Sequence, residues 1–130
     1  MKCWLLALVV LGFNSAATTR DASSQPDVKY NFCMATAVLY SSAAAEAAGM
    51  TGLVQNAYDA AEKLNMKRSK VDDLVNIYRS DPVKANSDAQ IAYSPSGTQN
   101  VMQFASMCSQ RPENYIPNYA SLKSSGKITD

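Results

Sequence analysis

Cys33 and Cys108 are the residues of this chain best suited to chemistry, and neither has the usual helper, because the sequence contains no histidine. A serine or cysteine nucleophile is ordinarily activated by an imidazole, so Ser-His-Asp and Cys-His machinery is excluded by inventory. Histidine metal sites and histidine pH switches are excluded with it. No Cys-x-x-Cys step exists to form a redox pair, and two cysteines alone fall short of a closed zinc site. What remains for Cys33 and Cys108 is a structural disulfide or, in its place, the role of small buried apolar side chains; an even count in an exported chain favours the disulfide. Closing a loop of about 75 residues contributes about 4.5 kcal/mol in the chain-entropy model. A domain of this size has a net stability of only about 5–15 kcal/mol, so such a bridge would matter greatly.

The carboxylates offer less. The three glutamates, Glu46, Glu62 and Glu113, are scattered, and the adjacent pair Asp72-Asp73 points apart on a helix. Two acids early in a helix complement its dipole, which is the plainer account of that pair. Ser124-x-x-Lys127 matches a catalytic Ser-Lys spacing, but it lies in a polar tail rather than at a rigid helix start. No cofactor is expected and no metal site is assigned.

Binding is the better prospect. Seven tyrosines are many for 130 residues. Tyr58 and Tyr78 fall on inward faces, whereas Tyr93, Tyr115 and Tyr119 fall in segments that read as loops. Tyrosine suits recognition because it brings contact area at little entropic cost. The basic corner of Lys63, Lys67, Arg68 and Lys70 reads as a solvated helix end or as an anchor for an acidic partner. Tyr93, Tyr115, Tyr119, Lys67 and Arg68 are therefore the candidate partner-binding residues. The basic cluster lacks interleaved aromatics, so nucleic acid is not an expected partner.

These residues need a scaffold, and the apolar spacing supplies one. Val28, Phe32, Ala35, Leu39 and Ala43 recur at helical steps, Cys33, Ala37, Tyr40 and Ala44 form a neighbouring stripe, and Gly49 is a stop. So wide an apolar surface marks the central helix. A second helix runs from Thr51 to about Asn65. A third starts with a capping-box-like Ser69 and Asp72 and stops at Ser80-Asp81-Pro82. Residues 83–97 are polar, broken by Pro95 and Gly97, and read as a loop with at most one helical turn. A last helix spans about Thr98 to Ser109 and ends before Pro112. No sustained period-two run exists. The expected fold is all-α, a small four-helix bundle-like domain with one inter-helix disulfide.

The start of the chain reads differently. Lys2, the apolar run Trp4–Phe13 and the small residues Ser15 and Ala17 have the form of a secretory signal peptide, too short for a spanning helix. The expected organisation is a cleaved signal peptide at 1–17, a flexible leader at 18–27, a helical domain at 28–122 and a disordered tail at 123–130. Cleavage removes Cys3, which leaves two cysteines in an oxidising compartment. It also removes Lys2, taking the formal charge from +1 to zero. A neutral mature chain has no long-range attraction for nucleic acid or anionic membranes, and no stable membrane insertion is expected.

The layout of signal peptide, small helical body and one long-range disulfide is shared by periplasmic acid-stress chaperones and by immunity proteins against cell-wall-attacking toxins. No residue motif carries a site over from either group. The expectation is an exported, periplasmic or secreted protein-binding module of the inhibitor, immunity or envelope-stress kind. The alternatives are a secreted effector or receptor ligand and, behind it, a carboxylate- or Ser-Lys-based hydrolase.

Overall fold

The computed structural model describes residues 28–129. The expected signal peptide, leader and Asp27 cap lie outside the described residues. Seven helices occur among the described residues: α1 (Val28–Ala47), α2 (Val54–Lys63), α3 (Arg68–Arg79), α4 (Pro82–Tyr93), α5 (Gly97–Gln110), α6 (Pro112–Tyr115) and α7 (Tyr119–Ser124). No strand is present among them.

The 20-residue α1 is the axis of the domain and contacts every helix from α2 to α6. Its two apolar stripes, each rich in alanine, account for this. Cys33, Leu39, Ala43, Ala44 and Ala45 are all fully buried, because neighbours pack on several sides. The same helix buries three hydroxyls, and each is satisfied. Thr36 Oγ1 donates to the Phe32 carbonyl at 2.8 Å, Ser41 Oγ donates to the Asp88 carbonyl at 2.8 Å, and Ser42 Oγ lies 2.6 Å from the Tyr93 hydroxyl. A buried hydroxyl without such a partner would cost about 1–3 kcal/mol.

The disulfide joins Cys33 on α1 to Cys108 on α5, with Cα atoms 5.8 Å apart and both residues fully buried. Leu39, Leu64, Val71, Leu122 and Ile128 are the largest apolar side chains that are fully buried.

Three expectations need correction. The segment 83–97, read as a loop, is mostly the 12-residue α4. Ser80-Asp81-Pro82 does stop α3, but the same residues start the next helix. The Asp81 side chain accepts from the Lys84 backbone N–H at 3.2 Å, and Pro82 occupies the first turn, where its missing N–H costs nothing. The inward residues of α4 are Ala85 and Ala89, too small to register as an apolar stripe. The bundle therefore has five principal helices rather than four. Where α4 gives way to α5, Gly97 is buried against Ala92, and a Cβ there would collide with the Ala92 carbonyl.

The second correction concerns the tail. Gly126, at φ +80°, closes α7 with its N–H on the Lys123 carbonyl, and the chain turns back so that Ile128 is buried. Of the segment 123–130, Lys123 and Ser124 complete α7 and Ile128 is buried, whereas the other described residues are exposed. The third concerns Ser69 and Asp72, which form no capping box. Lys67 occupies the cap position of α3 without a side-chain hydrogen bond, and Asp72 is engaged by Tyr58 instead.

Asparagines finish the design. Asn65, at φ 58°, ends α2, with Met66 N–H returning to the Ala61 carbonyl at 2.8 Å. Asn118 Nδ2 donates to the carbonyls of Leu64 and Asn65, each at 2.9 Å, which pins the α6–α7 turn to the end of α2.

Candidate functional site

The cavities that Tyr115 and Arg68 line do not include the other expected partner-binding residues. Tyr93 ends α4 rather than standing in a loop. Its hydroxyl faces Ser42 and accepts from Asn56 Nδ2 at 3.1 Å, so it ties α4 to α1 and α2. Tyr119 opens α7, half-buried against the core. Lys67 is exposed. Arg68 stacks over the Tyr58 ring, 3.8 Å from its centroid, and the Tyr58 hydroxyl donates to Asp72 at 2.6 Å. That hydrogen bond is the main cause that raises the Tyr58 pKa above the usual phenol value, while Arg68 opposes it. Tyr115 is 38% exposed and meets Phe104 edge-on, with centroids 5.7 Å apart.

Tyr115 leads to a recess lined by side chains of five helices. A cleft of about 380 Å³ opens between α1, α3 and α4, with α5 and α6 at one end. The central helix lends Ala37, Tyr40 and Ser41. Leu74, Ile77 and Tyr78 come from α3, at the helical spacing that brings one face together. From α4 come Lys84, Asp88 and Ile91, again one face, and Phe104, Asn114 and Tyr115 close the end.

The polar part of the cleft centres on Asp88. Its Oδ2 accepts from the Tyr78 hydroxyl at 2.7 Å and from Lys84 Nζ at 3.1 Å. Its backbone carbonyl takes Ser41, so one residue of α4 is fastened to both α1 and α3. Burial, then the Asp88 hydrogen bond, pushes the Tyr78 phenol far above its ordinary value, and burial raises Tyr40 as well. Both phenols are therefore neutral hydrogen-bonding groups at any physiological pH. The apolar part is Leu74, Ile91 and Phe104, with Ile77 at 64% exposure beside it.

Other recesses are plainer. A shallow groove of about 730 Å³ along α5 is lined by Tyr30, Met102, Met107 and uncharged polar residues, without a charged group. Ser124 and Lys127 are bonded to different partners. Ser124 Oγ donates to the Ser121 carbonyl at 3.1 Å, and Lys127 Nζ donates to Asn65 Oδ1 at 2.8 Å. Among the described residues no group of three or more metal-ligating side chains could hold an ion, and no helix is long and apolar enough to cross a membrane.

Sequence reasoning missed Tyr40, Lys84 and Asp88 as site residues. Lys84 and Asp88 stand four apart, a helical ion-pair spacing, but within a stretch read as a loop that spacing carries no meaning. Comparison with protein-family models, curated proteins and solved structures finds no match, so the cleft has to be understood from its own chemistry.

Proposed function

We propose that this chain is an exported binding protein that holds an apolar group of a protein partner in the α1–α3–α4 cleft. The observation that carries this reading is Ile77, a large aliphatic side chain left 64% exposed at an apolar cavity, with Tyr115 also exposed on the same cleft. Exposed apolar side chains gathered around a preformed recess, with a few fixed polar groups inside, are the usual form of a recognition site. The rest of the chain supports binding over catalysis. Ser124 and Lys127 are each engaged elsewhere, and Asp72 and Asp88 hold tyrosines in place. Nucleic acid is disfavoured because Arg68 lies on Tyr58, Arg79 faces Glu46 and Lys84 pairs with Asp88, so three cations are already engaged within the chain. Export is supported by the form of the first 17 residues and by a buried disulfide, a bond that persists in oxidising compartments.

The test uses three immobilised forms of the full chain in extract from the compartment to which it is exported. Wild type and Met102→Asp, on the α5 groove, should retain the same discrete protein, and Ile77→Asp should release it. Equal retention by Ile77→Asp, or loss only with Met102→Asp, would overturn the assignment to this cleft.

A further inference from the structure

The cleft holds more hydrogen-bond donors than its own acceptors use. An ammonium has three N–H donors, and Lys84 directs one bond to Asp88. The Tyr40 phenol and the Asn114 side-chain amide line the same cavity and have no hydrogen-bond partner among the described residues. Tyr40, Tyr78, Lys84, Asp88 and Asn114 all line this one cavity, and Tyr78 is the donor to Asp88. The two charges of the cleft are not equally presented. The Lys84 side chain is 62% exposed, whereas Asp88 is 20% exposed and already accepts two bonds. The charge offered to a visitor is therefore the ammonium.

We infer that the cleft receives the C-terminal residue of a partner's polypeptide chain, its apolar side chain on Leu74, Ile91 and Phe104 and its terminal carboxylate on Lys84 and Tyr40. This inference rests on the partner-binding reading above and names what the partner presents. An apolar floor next to unfilled donors and an outward cation is complementary to one unit, an apolar group bearing a carboxylate. The volume agrees: about 380 Å³ lies near the lower limit of ordinary ligand sites and suits a single residue rather than a helix face. A chain end fits better than a free acid because Ile77 and Tyr115 continue the apolar surface outward. They give the residues before the terminal one something to cover.

Acetylated pentapeptides of four alanines followed by Leu, Ile, Phe, Tyr or Trp, each with a free carboxylate and as its amide, test this by titration into the full disulfide-bonded chain. At least one free-ended peptide should bind, and its amide should bind roughly tenfold or more weakly, the loss expected for a charge-assisted hydrogen bond. Lys84→Met should abolish that difference. Tyr40→Phe, which keeps the ring, should weaken the acid several-fold with an unchanged unfolding midpoint. Equal binding of acid and amide, no binding by any peptide, or an undiminished preference in Lys84→Met would overturn the inference. Binding of N-acetyl-leucine as tight as the best peptide would assign the site to a small free acid instead. If the peptides fail while Ile77-dependent capture persists, the chain end is wrong and the partner-binding reading stands; if both fail, both fall.

Discussion

Helices α3 and α4 form the two long walls of the cleft, yet they are built in opposite ways. Helix α4 makes the most extensive contact with α1 of any helix, through small buried residues, Ala85 and Ala89. Helix α3 contacts α1 far less. It buries Val71, Val75 and Tyr78, while Leu74 and Ile77 stand toward the gap. Small side chains let two backbones close up; large ones hold them apart. The cleft follows from that mismatch. The α4 wall is spent on holding the fold together, and the α3 wall keeps apolar surface to spare.

Each consequence of that contrast can be tested by substitution. The largest effect should come from outside both walls, at the bridge that fastens α5 to the shared α1. Cys33→Ser with Cys108→Ser should lose about 2–5 kcal/mol by denaturant unfolding, and thiol titration of the oxidised chain should find neither cysteine free. On the α4 wall, Ala89→Leu should cost about 1–3 kcal/mol, since a larger side chain cannot enter the α1–α4 contact without moving a helix. Asp88→Ala should cost about 1–2 kcal/mol by leaving the Tyr78 hydroxyl without its acceptor. On the α3 wall, Ile77→Ala should change stability by less than about 0.5 kcal/mol, as at other exposed sites. A large loss there would mean that Ile77 belongs to the core and the two walls do not differ as described.

The contrast also explains what was legible in the sequence. Helices α1, α2, α3 and α5 show themselves because leucine, valine and aromatic residues recur at helical steps. The disulfide follows from Cys33 and Cys108 lying on apolar helix faces. Helix α4 is hidden because alanine among Lys, Asn, Ser, Asp and Gln leaves no contrast between faces. Its start was masked by a stop: Asp81-Pro82 terminates one helix and caps the next. A structureless stretch as long as 83–97 in so small a domain is itself unusual, and that was the available warning. With 83–97 read as a loop, Tyr93 falls in a loop and the four-residue spacing of Lys84 and Asp88 carries no structural meaning. The burial of Ile128 is hidden for a similar reason, since it is a lone apolar residue whose burial depends on a turn at Gly126. Convergence of side chains from five helices on one cleft is a tertiary fact that no local pattern encodes.

The claim that the α3 wall serves a partner is tested most directly by placing a photo-crosslinking phenylalanine analogue at Ile77. A second chain carries it at Gln99 on the α5 groove as a control. Irradiation in cells that produce the protein should give one discrete adduct from position 77, lost on adding an excess of the unlabelled protein, and none from position 99. A diffuse smear from both positions, or an adduct at 99 alone, would contradict the account.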